Sequence, residues 1–380
     1  MAPIKVGLMG YGFSTKCFHL PYILPNPDLT VHAFLQRKAA PTDTTEPGIH
    51  CTIDYPHAKH YRDAASFFSD PDIELVVVCT AVASHAEYAE MALKAGKHVV
   101  VEKPFTQSVA EADRLISVAK ESGKILTVFQ NRRYDSDFRT LLKLVENNAF
   151  GEITDCDIHY DANNPAWLRP NANPGPGDGM LFGLGTHTID QALILFGAPR
   201  AVWCTTRALK EGSKANDAFI VQLQYGGGGS SSSEGEEEEG EKWKENLLVT
   251  VRTTIVSPVP MSRMPKYAIR GRHGAYFKNG EDVQVEHFYS GIKVTDAKFG
   301  VEPKELHGYL STTEESKMGK YDGVYESEKG NYESYYRDVV KAIRGEAEVK
   351  VKPEESRMGL RIIESAVEST RTGRTVDFTP

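Results

Sequence analysis

No apolar run in this chain approaches the length needed to span a bilayer, and its first ten residues, MAPIKVGLMG, lack a charged segment followed by a long apolar one. Neither a membrane association nor a secretory leader is expected, and the cytoplasm is the expected compartment. Cysteine is scarce as well. The five thiols at Cys17, Cys51, Cys79, Cys156 and Cys204 are odd in number, scattered and never in a CxxC pair. That argues for a reducing compartment and against a zinc site, so no metal is expected. Nothing resembles a basic stripe, which speaks against nucleic acid as a partner. The formal net charge is −8, yet six glutamates fall within residues 226–241, leaving −2 for the remainder. That segment, GGGGSSSSEGEEEEGE, is low in complexity and of like charge, and reads as a disordered acidic loop insertion with no part in any chemistry.

What is present is a soluble composition, 40% hydrophobic and 25% charged over 380 residues, enough for two domains. Over the first 130 residues strand and helix alternate. Ile4–Met9, Leu29–Leu35, Ile73–Cys79, Val99–Val101 and Ile125–Phe129 read as strands, with residues 39–60 as an irregular loop. The spacing predicts helices over Thr15–Leu24, Arg62–Ser69, Ala86–Ala95 (Ser84 as N-cap, Gly96 as stop), Val109–Glu121 and Asp135–Asn147. This is the signature of an α/β fold with a doubly wound parallel sheet, assigned to residues 1–148. From 149 to 380 the period changes. Ile153–Tyr160, Ala201–Ala208, Ala218–Tyr225, Leu247–Ile255, Tyr267–Arg270 and Ala275–Lys278 are strands separated by turns, which predicts a mostly antiparallel sheet with one covered face. Helices at Tyr332–Arg344 and Glu354–Arg371 and a strand at Thr375–Phe378 follow.

The chemistry is expected at the strand ends. Gly10-Tyr11-Gly12-Phe13-Ser14-Thr15 matches GxGxxG at its first two glycines, and Thr15 stands where the third would be. Gly10 allows the tight turn and Gly12 lets the backbone approach a pyrophosphate; a glycine-rich turn without a ligand is the plainer reading. A further absence is an acid at 34–38, where a carboxylate would hold a ribose 2′-hydroxyl. Arg37 and Lys38 suit a 2′-phosphate instead, which favours NADP(H), with NAD(H) as the alternative; the same two residues also read as solvated loop charges. In Val99-Val100-Val101-Glu102-Lys103-Pro104, the proline keeps Lys103 out of the next helix and permits a cis peptide. Thr80, Ala81, His85 and Asn131 fall at or after other strand ends, His85 reading equally as a packing or capping residue. The candidate cofactor-binding set is thus Gly10, Gly12, Phe13, Ser14, Thr15, Arg37, Lys38, Thr80, Ala81, His85, Glu102, Lys103, Pro104 and Asn131.

With Glu102-Lys103-Pro104, the Gly10/Gly12 turn, Gly96-Lys97-His98-Val99 and Gly185-Thr186-His187 in view, the sequence resembles the Gfo/Idh/MocA oxidoreductases over nearly its whole length. Phe129-Gln130-Asn131-Arg132-Arg133-Tyr134-Asp135 and Gly330-Asn331-Tyr332-Glu333-Ser334-Tyr335-Tyr336 are similar to the branch that contains NADP-dependent scyllo-inositol dehydrogenases. The resemblance implies an N-terminal Rossmann domain, a C-terminal α+β domain with an open-faced sheet, a nicotinamide cofactor and a sugar or polyol substrate. It also implies a homodimer or homotetramer built through that sheet. Family members commonly carry a catalytic Asp four residues before the catalytic His; His187 matches the His, but the earlier position is Gly183. Ala81 likewise stands where a Pro is usual.

Oxidising a secondary alcohol requires a hydride acceptor and a base for the hydroxyl proton. Lys103 and His187 are the expected catalytic pair, acting on one carbon. Asp190, three residues after His187, reads either as the group that orients the imidazole or as a helix-surface or interdomain hydrogen bond. Candidate substrate residues are Arg132, Asp161, Trp167, Arg169, Thr186 and His187, with His159, Asn163 and Asn164 nearby. Several of these are also ordinary turn formers. A dinucleotide-binding sensor that has abandoned hydride transfer is the alternative that Gly183 raises.

Overall fold

The computed structural model describes residues 1–226 and 245–380, so most of the acidic insertion expected at 226–241 lies outside the described residues. The chain forms two compact units, neither of them continuous in sequence. The first comprises Met1–Asn131, Gln284–Phe299 and Asn331–Arg357, the second Arg132–Val283, Gly300–Gly330 and Met358–Pro380. The sequence suggests a single division after residue 148, but two later stretches return to the first unit. One physical reason is aromatic packing: Phe129 lies edge-on to Tyr335 with ring centres 4.7 Å apart. Another is the Thr127 hydroxyl, which donates to the Val351 carbonyl at 2.8 Å.

The first unit holds a six-stranded parallel sheet of β1 (Ile4–Met9), β2 (Leu29–Leu35), β3 (Lys59–Tyr61), β4 (Leu75–Val78), β5 (His98–Val101) and β6 (Leu126–Val128). Their order is β3-β2-β1-β4-β5-β6. Leu75–Val78 and Val99–Val101 are buried throughout, as β-branched runs covered on both faces should be. The order reverses between β1 and β4, so the carboxyl ends there form the switch point at which such sheets hold ligands. β3 was not anticipated; three residues, Lys-His-Tyr, are too few and too polar to register as a strand. The helix expected at Thr15–Leu24 begins as a π turn over Thr15–His19 and continues as α-helix over Leu20–Ile23. Pro21 has no N–H for the ordinary helical bond, which accounts for the widened turn before it.

The second unit holds nine strands, β7 (Ile153–His159), β8 (Ala201–Arg207), β9 (Ala218–Gln224), β10 (Leu248–Thr253), β11 (Pro265–Gly271), β12 (Gly274–Asn279), β13 (Gly308–Thr312), β14 (Tyr321–Tyr325) and β15 (Val376–Asp377). Their order is β14-β13-β12-β11-β7-β10-β9-β8-β15, with β7 and β10 parallel and the other pairs antiparallel. Burial alternates along β9 and β10, and the almost wholly buried helix Gly185–Phe196 belongs to this unit. β13 and β14 escaped the sequence pattern because Tyr309 and Val324 are exposed and Gly323 interrupts the alternation. Among the described residues no helix is long and apolar enough to cross a membrane.

Candidate active site

The glycine turn after β1 is fixed by its own backbone. Gly10 has φ +95°, and a Cβ there would stand 2.6 Å from the Cys79 carbonyl oxygen, so only glycine fits. A Cβ at Gly12 would meet no atom within 4 Å. Packing does not demand that second glycine, and the open space beside it is what a pyrophosphate would need. Thr15 replaces the third glycine with a closing bond: it is fully buried and its hydroxyl donates to the Gly10 carbonyl at 3.0 Å. Phe13 is exposed, and its ring stacks on Tyr289 at 6.5 Å. Tyr289 belongs to one of the late stretches and was missed.

The loop after β2 presents Arg37 and Lys38 as exposed side chains on an anchored backbone. The carbonyls of Gln36, Arg37 and Lys38 lie 2.9 Å from His60 Nε2, 3.2 Å from Arg62 Nε and 3.2 Å from His50 Nε2. Asp54, an acid that reaches this end from another loop, accepts from the Tyr11 hydroxyl at 2.5 Å and from the Gly48 N–H at 2.9 Å. Arg37 and Lys38 therefore stand as two exposed cations on a held frame.

After β4, Thr80 and Ala81 lead into the helix His85–Lys94. Ser84 occupies the N-cap position as expected, but its side chain makes no capping bond; its hydroxyl lies 2.8 Å from both Thr80 Oγ1 and the Ala81 carbonyl oxygen. His85 is buried, with ring nitrogens 2.9 Å from the Pro104 carbonyl and 3.0 Å from the Thr80 carbonyl. Burial lowers its pKa below the ordinary histidine value. It thus spans two strand-end loops.

The Lys103–Pro104 peptide is cis. Glu102 is buried, and its Oε2 accepts from the Lys103 backbone N–H at 2.9 Å. Its Oε1 accepts from the Ser14 hydroxyl and from His19 Nε2, the latter at 3.0 Å. Burial alone would push the Glu102 carboxyl up, but the bond and charge of His19, the charge of Lys103 and the Ser14 hydroxyl hold it down at about 2. His19, fully buried, was missed in the sequence because it stands alone between Phe18 and Leu20 with no polar residue beside it to mark a partner. Asn131 is buried just past the end of β6.

In the second unit His187 sits in the first turn of helix Gly185–Phe196, next to the buried Thr186. Its ring lies parallel to that of Tyr160, 6.2 Å away. Arg132 Nη2 donates to the Tyr160 hydroxyl and Nη1 to Asp135 at 3.1 Å, and Lys266 Nζ stands 4.5 Å over the Tyr160 ring. Burial raises the Tyr160 pKa well above its ordinary value although Arg132 opposes it, so the phenol keeps its proton. Tyr160, Lys266 and Glu281 (3.9 Å from Arg132) were missed, since nothing in the sequence announces that these strands and turns meet.

Other expectations are redirected. Asp190 accepts two bonds from Arg133, at 2.7 Å from Nε and 2.6 Å from Nη2, an ion pair set in the interior. Asp161 is buried with its carboxylate accepting from the Thr254 N–H at 3.0 Å, and His159 lies 3.5 Å from it. Asn164 has φ +41°, the backbone of a turn former. Asn163, Trp167 and Arg169 are exposed. Gly183 ends the short helix Met180–Gly183, and a Cβ there would approach only the Met180 side chain, at 3.4 Å.

With this geometry in place, comparison with known proteins is direct. Residues 4–130 match the NAD-binding Rossmann-fold domain of an oxidoreductase family and residues 142–378 match that family's C-terminal alpha/beta domain. The chain is 34% identical to the NADP(+) scyllo-inositol 2-dehydrogenase IolW of Bacillus subtilis over 98% of this chain and 95% of that protein. It is 30% identical to an uncharacterized oxidoreductase, C115.03, of Schizosaccharomyces pombe over the whole of both chains. The solved structure of the oxidoreductase yvaA from Bacillus subtilis superposes with a TM-score of 0.86 at 31% identity, covering 100% of this chain and 99% of that one. Two matched domains in sequence, the parallel and the mixed sheet, and these full-length relatives lead to one conclusion: the chain belongs to the Gfo/Idh/MocA family of oxidoreductases.

Proposed function

We propose that this protein is an NADP(H)-dependent oxidoreductase that moves hydride between the nicotinamide and a secondary hydroxyl, or its carbonyl, of a sugar, inositol or related polyol. The observation that carries the reading is the fixing of Lys103 at the carboxyl end of β5, where its backbone N–H is held by the buried Glu102 carboxylate. The bound dinucleotide supplies the hydride acceptor or donor. Lys103 holds and polarises the substrate hydroxyl. His187 takes the hydroxyl proton in oxidation and returns it in reduction, a task an imidazole nitrogen can perform. The exposed Arg37 and Lys38 and the lack of an acid at 34–38 support NADP(H). The Bacillus subtilis relative, named for NADP(+) and scyllo-inositol, supports both the cofactor and the substrate class.

The test pairs NADP(+) and NAD(+) with a panel of inositols, aldoses and keto-sugars, read by nicotinamide absorbance. At least one polyol should turn over. Lys103→Ala should lower kcat by about 10²–10⁴-fold while NADPH binding, read by fluorescence, stays within a few fold. A protein that binds NADPH but oxidises nothing on the panel would overturn the enzyme reading in favour of a dinucleotide sensor.

A further inference from the structure

Behind the Lys103 turn lies a buried chain of polar groups drawn from four elements. From the helix Glu333–Ile343, the Tyr336 hydroxyl oxygen stands 2.6 Å from His19 Nδ1. His19 Nε2 lies 3.0 Å from Glu102 Oε1, and Glu102 Oε2 receives the Lys103 N–H at 2.9 Å. His19 and Tyr336 have no exposed surface. Cys79, just after β4, acts electrostatically on His19, and the Phe129 ring after β6 packs 4.3 Å from the imidazole. Tyr335 adjoins Tyr336 on the same helix. Among the described residues the titratable groups facing this pair are Cys79, His85, Tyr335, Tyr336 and Lys103.

The charges of this chain bear on Lys103. The lysine is close enough to Glu102 for its charge to lower the pKa of the carboxyl. The effect is mutual: a lone carboxylate at 102 would hold the lysine more firmly as an ammonium. Burial works against a charged His19, but Cys79 and Glu102 outweigh it and raise the imidazole to about 10. Glu102 and His19 thus form a buried pair of opposite charge.

We propose that His19 is a positioning residue for Lys103: it clamps Glu102 against the lysine backbone and carries the positive charge that cancels the carboxylate's field at the amine. The inference rests on the proposed role of Lys103, but its test does not need turnover. Lys103 in the purified full-length protein is acetylated with acetic anhydride across a pH series, and its modification is followed by peptide mass spectrometry with the exposed Lys317 as internal standard. In His19→Gln the midpoint of Lys103 reactivity should rise by about one pH unit, with Lys317 unchanged. The KM for NADPH should stay within about threefold of native.

Because His19→Gln leaves an unpaired buried carboxylate, the double variant His19→Gln/Glu102→Gln is made alongside it; with no charge on either residue, it should return the midpoint to the native value. Stability supplies a second measurement. The His19 contribution is complete below its unpaired value of 6.5 and is lost as pH rises towards about 10. That of Glu102 is complete above 4.5 and is lost as pH falls towards about 2. Native Tm should therefore fall between neutral and alkaline pH by several degrees more than that of the double variant. A native reactivity midpoint in folded His19→Gln, a displaced one in the double variant, or equal alkaline losses of Tm would each overturn the proposal. A panel without turnover, by contrast, would strike only the proposed function.

Discussion

The carboxyl end of the parallel sheet and the surroundings of His187 solve the same problem, holding reactive side chains still, by different means. In the first, side chains grip the backbone: His60, Arg62 and His50 hold three successive carbonyls, His85 spans two loops, and Glu102 takes an N–H. In the second, side chains grip one another: Arg133 takes Asp190, Arg132 takes Tyr160 and Asp135, and Lys278 lies 3.2 Å from Glu302 with both side chains buried. Backbone gripping fixes the loops and leaves outward side chains to meet a ligand of constant chemistry. Mutual gripping fixes the charges in pairs, and each pair fails as a unit when one member is removed.

The largest effect that should follow from this contrast is on stability. Asp190→Ala would take its carboxylate from the Arg133 guanidinium, which is 12% exposed against 5% for Asp190. A loss of about 3–5 kcal/mol is expected in a denaturant titration. Asp190→Asn should retain a hydrogen bond and leave the pH profile of kcat where it was. A displaced alkaline or acidic limb in Asp190→Asn would mean that Asp190 orients His187 after all, and the contrast would collapse.

A smaller effect tests the backbone-gripping region. The double variant Arg37→Ala/Lys38→Ala keeps every carbonyl that His60, Arg62 and His50 hold, and removes only the two exposed cations. The KM for NADPH should rise about 10–100-fold, the loss of one or two charge-assisted bonds, while that for NADH stays near native. Equal shifts for both cofactors would show that these residues are solvated loop charges.

The same contrast governs what could be read from the sequence. The glycine turn, the Leu-Val-Val-Val strand and Glu102-Lys103-Pro104 are each contiguous, so their geometry is dictated locally and was legible. The second unit's network joins positions 132, 160, 187, 266 and 281, which only the strand order of the mixed sheet assembles. Asp190 illustrates the limit: its neighbour three residues back suggested a partner, and nothing in the sequence pointed to Arg133, 57 positions away, which pairs with it. His19 illustrates another. A buried imidazole between two apolar neighbours becomes informative only once Glu102 and Tyr336 are known to meet it.

Gly183→Asp probes the remaining absence and should have the smallest effect. The residue has no positive φ, and an added Cβ would meet the end of the Met180 side chain at 3.4 Å, which a flexible thioether can yield. The Gly183 N–H bonds the Gly179 carbonyl at 2.9 Å and is untouched by the substitution. A carboxylate at the carboxyl end of a short helix is unfavourable by only about 0.3–1 kcal/mol, so the variant should fold with a nearly native Tm. If Lys103 and His187 suffice for the proton, kcat should change by no more than about fivefold, since a second base adds little to one already placed. A gain on the order of 10²-fold would instead identify the missing carboxylate as the enzyme's deficit. The charges around His187 would then have been arranged for a partner that this chain no longer carries.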